Sequence, residues 1–269
     1  MSGPVIAVFD SGVGGLSVAA EIGRLLPGAG LAYICDNGFF PYGTKDEAAL
    51  VERVDRVATG AVAALEPDAL VVACNTASTV ALPRLRSHLS LPVIGVVPAV
   101  KPAAALSAKR VIGLLGTPGT VRRAYTQELI DRFAADCTVL RIGSAELVQL
   151  AEAALEGEAP APAAVERVLA PFFDRPAAEQ PDIVVLACTH FPLLGAALQA
   201  AAPDGVAFID SGRAVAERVR SVLEGRGEGG TAAGHVAYFT QDDAGLRRRL
   251  PSFAARGFAV DRNSFPDWG

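Results

Sequence analysis

Lysine, histidine and cysteine are scarce here, at three, three and four residues in a chain of 269 that holds 21 arginines. Lys45, Lys101 and Lys109 lie in no pattern expected of a pyridoxal Schiff base. His88, His190 and His235 are too widely spaced to predict a metal site. Cys35, Cys74, Cys137 and Cys188 match neither a zinc spacing nor a CxxC redox motif. Apolar runs stay well short of the ~20 residues of a membrane span. The opening Met1-Ser-Gly-Pro-Val has neither a basic region nor a cleavage site, so the expected location is the cytoplasm and a disulfide framework is not expected. Net charge is −5, and the arginines are scattered beside acidic residues, which argues against a nucleic-acid surface.

Apolar residues are abundant, at 51%, with 20% charged, enough for a large core. One short pattern occurs twice. Leu70-Val-Val-Ala-Cys-Asn-Thr-Ala77 and Val184-Val-Leu-Ala-Cys-Thr-His-Phe191 each run from apolar, β-branched residues into Ala-Cys and then small polar residues. Cys74 and Cys188 are therefore predicted where a buried strand ends, the position at which open α/β sheets bind ligands. For Cys35 and Cys137 the expectation is a small buried hydrophobe.

Strand and helix patterns alternate along the chain. Strands are predicted at Val5–Phe9, Leu31–Cys35, Ala69–Ala73 and Val93–Val96, with helices to about Leu26, over Asp46–Leu65 and over Val80–His88. The pattern then restarts. Strands follow at Val111–Leu115, Thr138–Ile142, Ile183–Ala187 and Ala207–Ile209. The predicted helices run from Thr120 to about Phe133, over Ser144–Leu155 and Pro162–Phe173, and after Pro192. From Asp10 to Cys74 is 64 positions, and from Thr117 to Cys188 is 71. This predicts an α/β fold of two pseudo-symmetric, doubly wound domains with mostly parallel sheets and the active site between them. The first domain would comprise residues 1–98 and 211–269 and the second residues 99–210, with Pro98 and Pro102 bracketing the crossing. After Gly212 come a helix over Ala214–Leu223, a glycine-rich loop over Glu224–Gly234, a strand over His235–Thr240 and a helix over Ala244–Leu250, a tail expected to complete the first domain.

Asp10-Ser-Gly-Val-Gly-Gly15 closes the first strand, and such turns gather backbone N–H groups for anions. Asp36 at the end of the second strand invites a dinucleotide reading. Against it, Ser17 stands where the third glycine belongs, and the charge of Asp10 would repel a pyrophosphate. Asp10 or Ser11 also suits a helix cap in a tight turn. Cys74 and Cys188 are the reactive candidates, because a thiolate is an effective base or nucleophile. Asn75, Thr76 and Thr189 offer hydrogen bonds to a carboxylate or amine, and His190 is two residues from Cys188, close enough to hold its proton. The aromatic loop Phe39-Phe-Pro-Tyr-Gly43 reads as a lid wall or as loop packing.

Taken in order, Phe9-Asp-Ser-Gly-Val-Gly-Gly-Leu-Ser17, Pro41-Tyr-Gly43, Ala73-Cys-Asn-Thr-Ala77, Gly116-Thr-Pro-Gly-Thr120, Ala187-Cys-Thr-His190 and Ile209-Asp-Ser-Gly212 resemble the glutamate racemases of the aspartate/glutamate racemase family, over nearly the whole chain. The resemblance implies a cofactor-independent isomerase that interconverts L- and D-glutamate and supplies D-glutamate to peptidoglycan, and hence to cell-wall biogenesis and cell shape. It implies that Cys74 and Cys188 transfer the protons, with Asp10 assisting Cys74 and His190 assisting Cys188. It implies further that Asp10, Ser11, Tyr42, Gly43, Asn75, Thr76, Thr189 and His190 hold the substrate. No metal or cofactor is implied, and the oligomeric state is left as monomer or homodimer. The segment Gly143-Ser-Ala-Glu-Leu-Val-Gln-Leu-Ala-Glu152 departs from many relatives. It resembles the proteobacterial subgroup, in which a muramoyl peptide nucleotide precursor activates the enzyme, with Glu152 at the acidic position. Competing readings are an aspartate or hydantoin racemase, a non-catalytic two-lobed protein that binds a small anion, and a thiol redox protein. The chemistry favours an amino-acid racemase with two cysteines: inverting an α-carbon takes a proton from one face and returns one to the other, which two opposed thiols can do and one fixed monoprotic base cannot.

Overall fold

The computed structural model describes residues 3–224 and 234–260, which divide into two compact units. The glycine-rich stretch Glu224–Gly234 lies almost wholly outside the described residues. Among the described residues no helix is long and apolar enough to cross a membrane.

The first unit comprises the residues up to Val96 and those from Gly212 on. It opens with β1 (Val5–Asp10), α1 (Leu16–Leu25), β2 (Gly30–Cys35), α2 (Glu47–Leu65), β3 (Ala69–Val72), α3 (Asn75–His88) and β4 (Val93–Gly95). The second unit, Val97–Ser211, holds α4 (Val100–Leu106), β5 (Val111–Gly116), α5 (Pro118–Arg122), α6 (Ala124–Phe133), β6 (Thr138–Gly143), α7 (Glu146–Leu155), α8 (Pro162–Phe173), β7 (Ile183–Ala187), α9 (Gly195–Ala200) and β8 (Ala207–Ile209). The chain then returns to the first unit with α10 (Gly212–Leu223), β9 (His235–Phe239), α11 (Ala244–Ala254) and β10 (Phe258–Val260).

Each unit is built on one wholly parallel sheet. The strand order is β10-β9-β2-β1-β3-β4 in the first and β6-β5-β7-β8 in the second. The four strands β2-β1-β3-β4 and β6-β5-β7-β8 follow the same winding, as the repeated sequence pattern predicts. The central strands β3, β5 and β7 are buried at every residue, which explains why they read as unbroken apolar runs rather than alternations. The helix α2 presents Leu50, Val54, Val57, Ala58 and Ala61 to the core and is capped by Asp46, whose carboxylate accepts the N–H groups of Ala48 (3.0 Å) and Ala49 (3.1 Å).

Several local expectations need correction. The helix read at Val80–His88 begins at Asn75, directly after Cys74. Its first turn, Asn-Thr-Ala-Ser, looks like a loop by composition, but it is buried. The Ser78 hydroxyl donates to Val72 O (3.0 Å) and accepts from Val96 N–H (3.0 Å), ties that no local propensity reports. The single helix expected between Thr120 and Phe133 is two, because Arg123 is extended and the Thr126 hydroxyl takes the Thr120 carbonyl (2.6 Å). Pro102 sits in the first turn of α4, where a missing N–H costs nothing, so this helix occupies the stretch read as a crossing. The short strand β10 was not foreseen. Cys137 is half-buried rather than buried, because it leads into the edge strand β6, which is largely exposed. Cys35 is buried, and its thiol also donates to Gly12 O (3.2 Å).

The strand β9 carries a titratable tie. Nδ1 of His235 accepts the backbone N–H of Leu31 (3.2 Å) while its ring lies 5.4 Å from that of Phe258. Burial lowers the pKa of His235 below its ordinary value. A depressed histidine pKa gives stability that is fully present above about pH 6.5, the unfolded value, and lost as pH falls through the folded value. Urea unfolding between pH 7.5 and 5 should show the wild type losing about 1 kcal/mol more than His235→Asn, the size of one hydrogen bond. Parallel pH profiles would contradict this.

Candidate active site

In the strand order 2-1-3-4 the chain leaves β1 in both directions, so the crevice at a switch point opens where β1 and β3 end side by side. Those ends carry Asp10 and, two residues past β3, Cys74. Asp10 is fully buried, and its Oδ2 accepts the N–H groups of Gly12 (3.1 Å) and Gly15 (3.0 Å) and the hydroxyl of Tyr33 (3.3 Å). The carboxylate thus closes the glycine turn, while the N-cap of α1 is Gly15, with neither Asp10 nor Ser11 in that place. The Ser11 hydroxyl lies 3.7 Å from Cys74 Sγ. Cys74 is extended and forms the N-cap of α3, a helix of 14 residues. The positive end of the helix dipole therefore falls at the sulfur, where it stabilises a thiolate. Asn75 and Thr76 are buried beside it, and Asn75 Oδ1 has no hydrogen-bond donor among the described residues. A buried acceptor in that condition is costly unless a ligand donates to it.

The loop after β2 is pinned from below. Asp36, fully buried, receives Arg53 through Nε (3.0 Å) and a terminal guanidinium nitrogen (2.6 Å), the Tyr42 hydroxyl (2.5 Å) and the Thr240 hydroxyl (2.7 Å). Its carboxylate is fully occupied, which leaves nothing for a ribose and closes the dinucleotide reading. The hydroxyl of Tyr42 points to Asp36, and burial, with the Asp36 charge and hydrogen bond, pushes its pKa well above the ordinary phenolic range. Tyr42 and Gly43 lie in a single 3-10 turn, with the tyrosine side chain turned away to Asp36.

In the second unit the corresponding strand ends are those of β5 and β7. Cys188, Thr189 and His190 follow β7 directly and are all buried. His190 Nδ1 is 3.8 Å from Cys188 Sγ, and its Nε2 is 2.7 Å from Oε1 of Glu152 on α7. Burial alone would lower the pKa of His190. The hydrogen bonds to Cys188 and Glu152, with their charges, outweigh it and hold the pKa well above the ordinary value. With Nε2–H given to Glu152, Nδ1 accepts from a Cys188 thiol or, when the ring is protonated, donates to a thiolate. Glu152 has a signal in the sequence: it is a carboxylate on the apolar face made by Leu147, Val148, Ala151 and Leu155. The turn after β5 has no carboxylate. There the Thr117 hydroxyl accepts the Thr120 N–H (3.2 Å). The two cysteine sites are therefore alike in fold position and different in their surroundings: the Ser11 hydroxyl lies near the sulfur in one, and a histidine hydrogen-bonded to a buried glutamate lies near it in the other. Tyr33, beneath Asp10, carries no such signal, because a tyrosine in an apolar strand reads as core.

A model of the Asp/Glu/Hydantoin racemase family matches residues 15–219. A glutamate racemase of Salmonella gallinarum is 48% identical over 256 residues, covering 95% of this chain and 90% of that protein. One of Klebsiella pneumoniae is 55% identical over 222 residues, covering 82% of this chain and 77% of that protein. The crystal structure of Escherichia coli glutamate racemase with L-glutamate and the activator UDP-MurNAc-Ala is 47% identical, covers 96% of this chain and 97% of that one, and superposes with a TM-score of 0.91. The chain belongs to the Asp/Glu/Hydantoin racemase family.

Proposed function

We propose that this chain interconverts L- and D-glutamate by two-cysteine proton transfer, without a cofactor, and so supplies D-glutamate for peptidoglycan. The observation that carries the reading is the pair of buried cysteines at equivalent strand ends, Cys74 beside the Ser11 hydroxyl and Cys188 beside His190. Chemistry assigns them opposite faces of one α-carbon. One thiolate removes the proton, and the other thiol returns a proton to the far side. Cys74, supported by Asp10 and Ser11, serves D-glutamate. Cys188, which shares a proton with His190, serves L-glutamate. Asn75 Oδ1 suits the substrate ammonium, and Thr76, Thr189 and the backbone of Tyr42 and Gly43 suit its carboxylates. Hydrogen bonds that tighten as the carboxylate gains enolate character lower the cost of the carbanion. The domain division proposed is 1–98 with 211–269, and 99–210. A mechanism that needs two free thiols also fits the reducing cytoplasm.

Circular dichroism of the purified protein, dialysed against chelator, is expected to show loss of signal from either enantiomer of glutamate. Aspartate should be turned over more slowly, since one methylene in a pocket is worth about 1–3 kcal/mol. A muramoyl peptide nucleotide should raise the rate, as the likeness of the Ser144–Glu152 segment implies. A dependence on added cofactor, or a higher kcat/KM for aspartate, would overturn the assignment.

A further inference from the structure

Tyr33 is fully buried in the middle of β2, yet its hydroxyl emerges under the glycine turn. It donates to Gly12 O (2.8 Å) and lies 3.3 Å from Asp10 Oδ2. One hydroxyl proton shared between two acceptors fixes both, the turn and the carboxylate it closes. With Gly12 N–H and Gly15 N–H on the same oxygen, three donors on Oδ2 set the rotation of the Asp10 carboxylate. The packing around this contact is close. A Cβ at position 15 would stand 2.8 Å from Asp10 Cβ and 2.9 Å from the Tyr33 hydroxyl, so the contact needs a glycine there.

The ring of Tyr33 is held in turn by the end of the chain. It meets Phe253 of α11 edge-on at 5.5 Å and Phe258 of β10 at 5.9 Å, and these two rings are 6.1 Å apart. Such pairs each contribute about 0.5–1.5 kcal/mol beyond burial and fix ring direction. The C-terminal elements therefore aim the tyrosine, and the tyrosine aims Asp10.

We infer that Tyr33 is a positioning residue for the Cys74 half of the reaction, orienting the Asp10 carboxylate from beneath the sheet, with Phe253 and Phe258 as its mount. The inference rests on the proposal that Asp10 assists Cys74. Its signature is directional. The two enantiomers have equal free energies, so a defect in either proton transfer lowers kcat/KM equally in both directions. The isotope effects separate the two steps. If the Cys74 step is slowed, it becomes more rate-limiting. The primary deuterium effect on kcat/KM then rises for D-[2-²H]glutamate and falls toward unity for L-[2-²H]glutamate.

Tyr33→Phe keeps the ring in its mount and removes only the hydroxyl. It is expected to lower kcat/KM about tenfold in both directions, the value of a hydrogen bond to a charged group, with the isotope effects moving in those opposite senses. Phe258→Leu, which keeps the hydroxyl and loosens the ring, should show the same pattern at smaller amplitude, and it carries the test if Tyr33→Phe does not fold. Cys74→Ser and Asp10→Asn are measured alongside. If either retains normal racemisation, the underlying reading fails. If both are impaired while the Tyr33 and Phe258 variants keep wild-type isotope effects, the role given to Tyr33 is wrong.

Discussion

Replacing Cys74 or Cys188 by serine is expected to lower racemisation by about a thousandfold or more while leaving the fold intact. Both thiols are buried at the ends of central strands, and serine is smaller and fits either place. What it cannot supply is a proton that moves readily at neutral pH. Each variant keeps one working base, so each should retain one half-reaction. Cys74→Ser should still eliminate from an L-glutamate analogue with a β leaving group, and Cys188→Ser from the D analogue. Measuring both eliminations distinguishes a lost base from a collapsed site. Loss of both in either variant, or near-normal racemisation in either, contradicts the assignment of one cysteine to each face.

The second large effect is expected at Glu152. After the hydrogen bond to Cys188, this buried carboxylate is what holds the His190 pKa up against the cost of burial. Glu152→Gln keeps the shape and loses the charge, so the histidine pKa should fall, with the Cys188 hydrogen bond still opposing burial. The expected result is a fall in kcat/KM of about 10- to 100-fold and an alkaline limb displaced toward acid. Stability should follow. A raised histidine pKa gives stability that is fully present below the unfolded value, near 6.5, and lost as pH rises through the folded value. Relative to wild type, the variant should therefore be less stable at pH 6 and approach it as pH rises. Denaturant titrations across that range check this, and a constant difference would show that the pair acts through packing alone.

The backbone was largely legible because central parallel strands are buried on both faces and read as continuous apolar runs ending in turn residues. Ile183–Ala187 and Ala207–Ile209 fall where the sequence predicts them. The first turn of α3 was not legible, since it is buried and tied down by the tertiary hydrogen bonds of Ser78 rather than by helix propensity. Residues next to a motif, such as Ser11, Thr76 and His190, could be chosen from the sequence. Those acting across sequence distance could not. Arg53 and Thr240 meet at Asp36 from opposite ends of the first unit, and Tyr33 reaches Asp10 from the neighbouring strand. The commitment of the Tyr42 hydroxyl to Asp36 was hidden too.

The most direct test of two-base proton transfer is isotope entry in deuterated water, with one pure enantiomer of glutamate and sampling of the first few per cent of turnover. A thiol equilibrates with solvent, so the enantiomer formed should carry one deuterium from its first appearance. The enantiomer remaining should carry almost none, because the group that deprotonates it is not the group that labels product. Both cysteines predict this result in both directions. Early deuterium in the remaining pool, or product that keeps the substrate's own proton, would mean a single base and would contradict the assignment of opposite faces to Cys74 and Cys188.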